Sequence, residues 1–139
     1  MDDPTLNLAR RAVACKGWRW RPGMLTHEGY LLTRKRGDLW TCAAQDGRGL
    51  GRILGLARLS LRGSFPDLSD PATLGCLLAL VRKAWGDPTF YVVCAGVKIK
   101  DTDVFGWDFF GQFKGLSCRG LLYRSEAEAL VAALEAANE

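Results

Sequence analysis

The chain has 139 residues, 48% of them hydrophobic and 24% charged, with a formal net charge of +4. That length suits a single domain able to bury a core without disulfide or metal staples, and the composition argues against a disordered chain. The longest apolar run, Leu74 to Val81, falls well short of the roughly 20 residues a membrane span needs. The acidic opening Met1-Asp2-Asp3, with Arg10 and Arg11 close behind, is not a signal peptide, so a cytoplasmic protein with no membrane partner is expected.

A helix is predicted from Pro4 to about Lys16. Asp3 is its cap, Pro4 suits the first turn, Leu8, Ala12 and Cys15 share a face, and Gly17 is the expected stop. Residues 18–23 read as a connector. Strands are predicted from Gly29 to Lys35 and from Leu39 to Ala44 around a turn at Arg36-Gly37-Asp38. A second turn, Asp46-Gly47-Arg48-Gly49, leads into Ile53 to Arg62, whose end alternates Leu59 and Leu61 against Arg58, Ser60 and Arg62.

The next helix carries the strongest signals: Ser69 or Asp70 as cap, Pro71 at the first position, and an apolar stripe of Leu74, Leu77, Leu78, Val81 and Trp85. Cys76, Ala79 and Leu80 make it apolar nearly all round, the mark of a buried helix. Gly86-Asp87-Pro88 ends it. Strands follow from Phe90 to Lys100 and from Val104 to Phe113, joined at Asp101-Thr102-Asp103, then a short one near Leu121 to Tyr123. The last helix opens with a capping box, Ser125 and Glu128, and has Leu130, Val131 and Leu134 as its stripe.

The expected fold is therefore α+β, in the order α-βββ-α-ββ(β)-α. Because short turns join the strands, one mainly antiparallel sheet of five or six strands with three helices is the predicted architecture.

Charge is unevenly spread. Residues 1–66 hold 12 Lys and Arg against 5 Asp and Glu, whereas residues 67–139 hold 7 against 10. Arg supplies 13 of the 19 cations, and its planar fork suits carboxylate and phosphate. Opposed charge in the two halves would also favour self-association, including a head-to-tail homodimer. Cys15, Cys42, Cys76, Cys94 and Cys118 are odd in number and scattered, which fits neither a disulfide framework nor a zinc site. Buried free thiols are expected.

Catalytic chemistry finds little support in the residues. His27 is the single histidine, with no Ser or Cys placed beside it, and reads as a surface residue next to a turn. Asp67 and Asp70 sit where a helix needs caps. Asp101 and Asp103 suit turn chemistry better than a cation site with Asp108. Gly47 to Gly51 lacks the phosphate-loop pattern. No catalytic residue, metal or cofactor is assigned.

The segment with the most binding character interleaves cations and indoles: Arg10, Arg11, Trp18, Arg19, Trp20 and Arg21. Arg on phosphate and Trp on unstacked bases would grip nucleic acid. The competing reading is that the indoles plug the junction between helix and sheet while the Arg side chains stay solvated. Arg34, Lys35 and Arg36 add a second cationic cluster. The aromatic row Phe105, Trp107, Phe109 and Phe113 reads as the apolar face of a sheet, with a stacking platform as its alternative.

Leu8-Ala-Arg-Arg-Ala-Val-Ala-Cys-Lys-Gly-Trp-Arg-Trp-Arg-Pro-Gly-Met24, Pro66 through Gly86 and Glu126 through Ala137 together resemble a family of small uncharacterised accessory proteins of tailed bacteriophages and prophages. The resemblance covers about half the chain and implies a host bacterial cytoplasm, with no active site to carry over. The reading that joins these features is a non-enzymatic phage accessory protein that binds a host protein or ribonucleoprotein, for example as an anti-CRISPR-like inhibitor of a bacterial defence system. The alternative is a nucleic-acid-binding protein that uses the basic first half.

Overall fold

In the computed structural model, which describes residues 3–45, 53–110 and 123–137, the chain runs α1 (Pro4–Ala14), β1 (Tyr30–Arg36), β2 (Leu39–Gln45), β3 (Ile53–Leu59), α2 (Pro71–Trp85), β4 (Tyr91–Ile99), β5 (Thr102–Phe110) and α3 (Glu126–Ala136). The protein is α+β. Its five strands form two antiparallel sheets, β1-β2-β3 and β4-β5, rather than the single sheet of five or six expected. The reason is local. Each strand pairs with its neighbour across a short connection, while α2 separates β3 from β4. By contact density the chain divides into two compact units, Met1–Val13 with Arg19–Cys76, and Ala14–Trp18 with Leu77–Glu139.

In the first unit, α1 is capped as its sequence indicates: the Asp3 carboxylate accepts from the Thr5 amide at 2.9 Å. Ala9 and Ala12 are its buried residues. The hairpin β1-β2 turns at Gly37-Asp38, with Arg36 opposite Leu39. Gly37 takes φ +58 and Asp38 does not leave the usual range, the pattern of a type II′ turn. The ladder is regular except for one extra residue, Thr33, between the pairs Leu32–Cys42 and Arg34–Thr41. Its hydroxyl donates to the Thr41 carbonyl at 2.8 Å.

Residues 23–26, of which only Gly23 falls in the predicted connector 18–23, lace onto β1. The Gly23 amide donates to the Leu32 carbonyl and the Leu32 amide to the Met24 carbonyl. The Leu25 amide reaches the Thr73 hydroxyl on α2 at 2.9 Å. Met24, Leu32, Cys42 and Leu68 are buried in this unit's core. β3 ends at Leu59, so the alternation expected to continue through Arg62 gives way to a turn with Gly63 at φ +75. The Asp46 to Gly49 turn lies outside the described residues.

Asp70, not Ser69, caps α2: its carboxylate accepts from both the amide and the hydroxyl of Thr73. The helix ends in a Schellman motif. Gly86 sits at φ +63, its amide donates to the Lys83 carbonyl, and the Asp87 amide donates to the Arg82 carbonyl. Of the expected stripe, Leu77, Val81 and Trp85 are buried, joined by Leu80; Leu74 and Leu78 are only half-buried.

In the second unit α3 packs on β4 and β5. Leu130, Val131 and Leu134 are fully buried, as their spacing indicates. The Ser125 hydroxyl accepts from the Glu128 amide at 3.1 Å, while the Glu128 carboxylate reaches back to the Arg124 amide. The capping box therefore closes one residue earlier than the motif requires. The Trp85 indole donates to the Ala133 carbonyl at 2.8 Å, which ties α2 to α3. Gly17 has no left-handed φ. It is small because a Cβ there would lie 3.0 Å from Leu134 Cδ1.

β4 and β5 pair without a bulge from Tyr91–Phe110 to Ile99–Thr102. Their turn is Lys100-Asp101, not Asp101-Thr102-Asp103, and both residues are left-handed, at φ 49 and 65. That is the type I′ pattern, normally occupied by Asn-Gly. Tyr123 bridges Trp107 through two amide–carbonyl bonds of 2.8 Å. The rest of the short strand expected there, like Phe113, lies outside the described residues. Phe105, expected in a core face, is 73% exposed.

Candidate functional site

The first unit carries a cleft of about 300 Å³ lined by Trp20, Lys35, Asp38, Trp40, Ser60, Leu61 and Arg62. Its walls follow from the hairpin. A two-residue turn places residues five apart opposite one another, so Lys35 faces Trp40 across the β1-β2 ladder. Trp40 in turn pairs with Leu59, the last residue of β3. The chain leaving β3 therefore brings Ser60, Leu61 and Arg62 to the same end of the sheet. The Arg62 amide lies 3.5 Å from the Ser60 hydroxyl, and the Ser64 amide donates to the Leu61 carbonyl, which bends this segment around the cleft.

Trp40 is 6% exposed and serves as apolar floor. Trp20 is half-buried and is the indole with a face at the rim, while Lys35, Asp38 and Arg62 are exposed. Among the described residues no hydrogen bond or ion pair engages the side chains of Lys35, Asp38 or Arg62. Two cations and a carboxylate thus line one concave site without neutralising one another in direct contact.

The expected binding residues are distributed unevenly. Trp20 and Lys35 come together in the cleft. Arg34 and Arg36 pair with Thr41 and Leu39 on the opposite face of the strand from Lys35. Arg10 is exposed, with its guanidinium 5.6 Å from the centre of the Phe65 ring. Arg11, Arg19 and Arg21 are exposed. Trp18 is buried within the second unit, at 6% exposure, where it packs rather than offers a face to a ligand. Asp38, Trp40, Ser60, Leu61 and Arg62 were not singled out from sequence. The signal for Trp40 and Asp38 was available in the two-residue turn, which fixes their relation to Lys35.

His27 braces a loop. Its Nδ1 lies 3.2 Å from the Phe65 amide and 3.1 Å from the Phe65 carbonyl, and the two rings are tilted at 5.7 Å. Its Nε2 is 3.7 Å from the Glu28 carboxylate, which also accepts from the Ser64 hydroxyl. Among the described residues no group of three or more His, Cys, Asp or Glu side chains is placed to hold a metal ion.

Cys15, Cys42, Cys76 and Cys94 are free thiols, and Cys118 lies outside the described residues. Burial pushes the Cys42 thiol up. It does the same to Cys76, against Arg21, which lowers it, and with Asp70, which raises it. Cys94, expected among the buried thiols, is exposed on β4 because the sheet presents that position to solvent.

Among the described residues no helix is long and apolar enough to cross a membrane. No protein-family model, no curated protein and no solved structure matches the chain.

Proposed function

We propose that the protein is a non-enzymatic binding protein whose first unit engages single-stranded nucleic acid through the Trp20–Lys35–Arg62 cleft. The observation that carries this reading is the juxtaposition of a half-buried indole with two cations that no carboxylate among the described residues contacts. Stacking on an aromatic face and cations along the backbone are the two ingredients of single-strand binding. The excess of Lys and Arg in residues 1–66 supports the same partner. The resemblance to phage accessory proteins extends the proposal to a host ribonucleoprotein in a bacterial cytoplasm. There an exposed RNA strand is available, and inhibition of a bacterial defence system is one role such binding would serve.

Fluorescence anisotropy with labelled single-stranded DNA, RNA and duplex oligonucleotides tests the reading at about 50 and about 200 mM salt. Single strands are expected to bind in preference to duplex, with affinity falling about 0.7 in log K per log unit of salt for each phosphate engaged. Lys35→Glu with Arg62→Glu abolishes binding, while Arg34→Glu with Arg36→Glu, on the other strand face, costs less. Equal loss from both pairs, or no single-strand preference, would overturn the assignment to the cleft.

A further inference from the structure

Asp38 is the residue in the cleft that simple phosphate binding does not explain. A carboxylate repels phosphate, and a pocket built only to hold a backbone would exclude it. No described residue hydrogen-bonds or ion-pairs with Asp38, and it lies at the hairpin turn, exposed, on the wall shared with Lys35 and Arg62. The cleft's volume of about 300 Å³ is at the small end for ligand sites, the scale of one base with its sugar rather than an extended strand.

Resting on the single-strand reading above, we infer that the cleft selects a guanine base. Trp20 supplies the stacking face, the Asp38 carboxylate accepts from the base's Watson–Crick edge, and Lys35 and Arg62 take the O6 side and the adjoining phosphates. An ionised carboxylate is acceptor-only, with two oxygens side by side. It is best matched by two adjacent N–H donors. Guanine presents that pair, N1–H beside the N2 amino group. Adenine and cytosine each set one amino donor next to a ring acceptor, and thymine and uracil flank N3–H with two carbonyls. Against those four bases the second carboxylate oxygen meets an acceptor, and the unpaired contact costs affinity. Bases in unpaired strands are free to be read on this edge.

The test is anisotropy with labelled oligothymidylates that carry one central dG, deoxyinosine, dA or dC. The dG strand is expected to bind about tenfold more tightly than the all-dT strand, the scale of one bidentate base contact. Deoxyinosine, which lacks only the N2 amino group, loses most of that gain. Asp38→Asn removes the preference for the dG strand. Asn is favoured at turns, so this variant keeps the hairpin, and circular dichroism checks it. Equal binding of dG and deoxyinosine strands, or a preference that survives Asp38→Asn, overturns the guanine assignment and leaves the single-strand reading standing. Absence of binding by every strand overturns both. Competition by GMP at the affinity of the dG strand would sustain the guanine assignment and overturn the strand reading.

Discussion

Leu77 and Leu78 are adjacent on α2, yet the structure assigns them very different roles. Leu77 is fully buried in the second unit, whereas Leu78 is half-buried. Replacing either with Ala changes helix propensity almost equally, so the difference between the two variants isolates burial. Leu→Ala removes three carbons. At about 0.8 kcal/mol per buried CH₂, full burial at Leu77 gives about 2.4 kcal/mol of lost transfer energy. A cavity among Leu80, Val81 and the rest of the packed core adds about 1–2 kcal/mol more, for a total of about 3–5 kcal/mol. Leu78, with part of its side chain already in water and no closed cavity to leave, should cost about 1–2 kcal/mol. Urea denaturation followed by circular dichroism and tryptophan fluorescence reads both, with equal m-values required for comparison. Equal losses, or a larger loss at Leu78, would mean that α2 is rotated about its axis relative to the burial described here.

Three further outcomes are expected. Replacing Lys100-Asp101 with Asn-Gly, the residues a type I′ turn favours, should stabilise the β4-β5 hairpin by about 1 kcal/mol in the same denaturation assay, since both residues now hold left-handed φ values. Asp70→Ala should destabilise by about 1–2 kcal/mol, measured by thermal melting, because it uncaps α2 and leaves the buried Thr73 hydroxyl without its acceptor. Under native conditions a thiol reagent should label Cys94 first and Cys42 last. Burial favours the neutral Cys42 thiol in the folded state, so its unfolded form ionises first and stability falls as pH rises past the ordinary value of 9.0.

What could be read from the sequence was mostly what a single stretch of backbone decides. The caps at Asp3, Asp70 and Ser125 are local hydrogen-bond accounts, and each helix starts where its cap predicts. The stripe of α3 follows from its spacing because that helix is short and buried. The division into two sheets was not legible, since alternation says which face a residue takes but not which strand it pairs with. The β4-β5 turn was misplaced because Asp101 and Asp103 both suit turns. What decides is the two-residue loop, whose twist matches the strands. In the cleft, Trp20 and Lys35 were legible by chemistry. Arg62 was not, because it reaches the site only through the register of β2 with β3.

The sequence of β1 contains a conflict that the fold resolves. In a strictly alternating strand, Tyr30, Leu32, Arg34 and Arg36 would share one face, and a core leucine would stand beside two cations. Leu32 is 1% exposed, so such a face would pull charge toward the core. The extra residue at Thr33 shifts the phase: Leu32 stays opposite Cys42, and both Arg side chains move to the other face. The Thr33 hydroxyl bond to the Thr41 carbonyl gives that irregularity a partner. The shift also puts Lys35 on the face of Leu32, Cys42 and Trp40. It is the last residue of that face before the turn, where the face opens into the cleft and its ammonium group meets water. The device that keeps the core of the first sheet apolar is therefore the same one that brings Lys35 to the wall of the cleft.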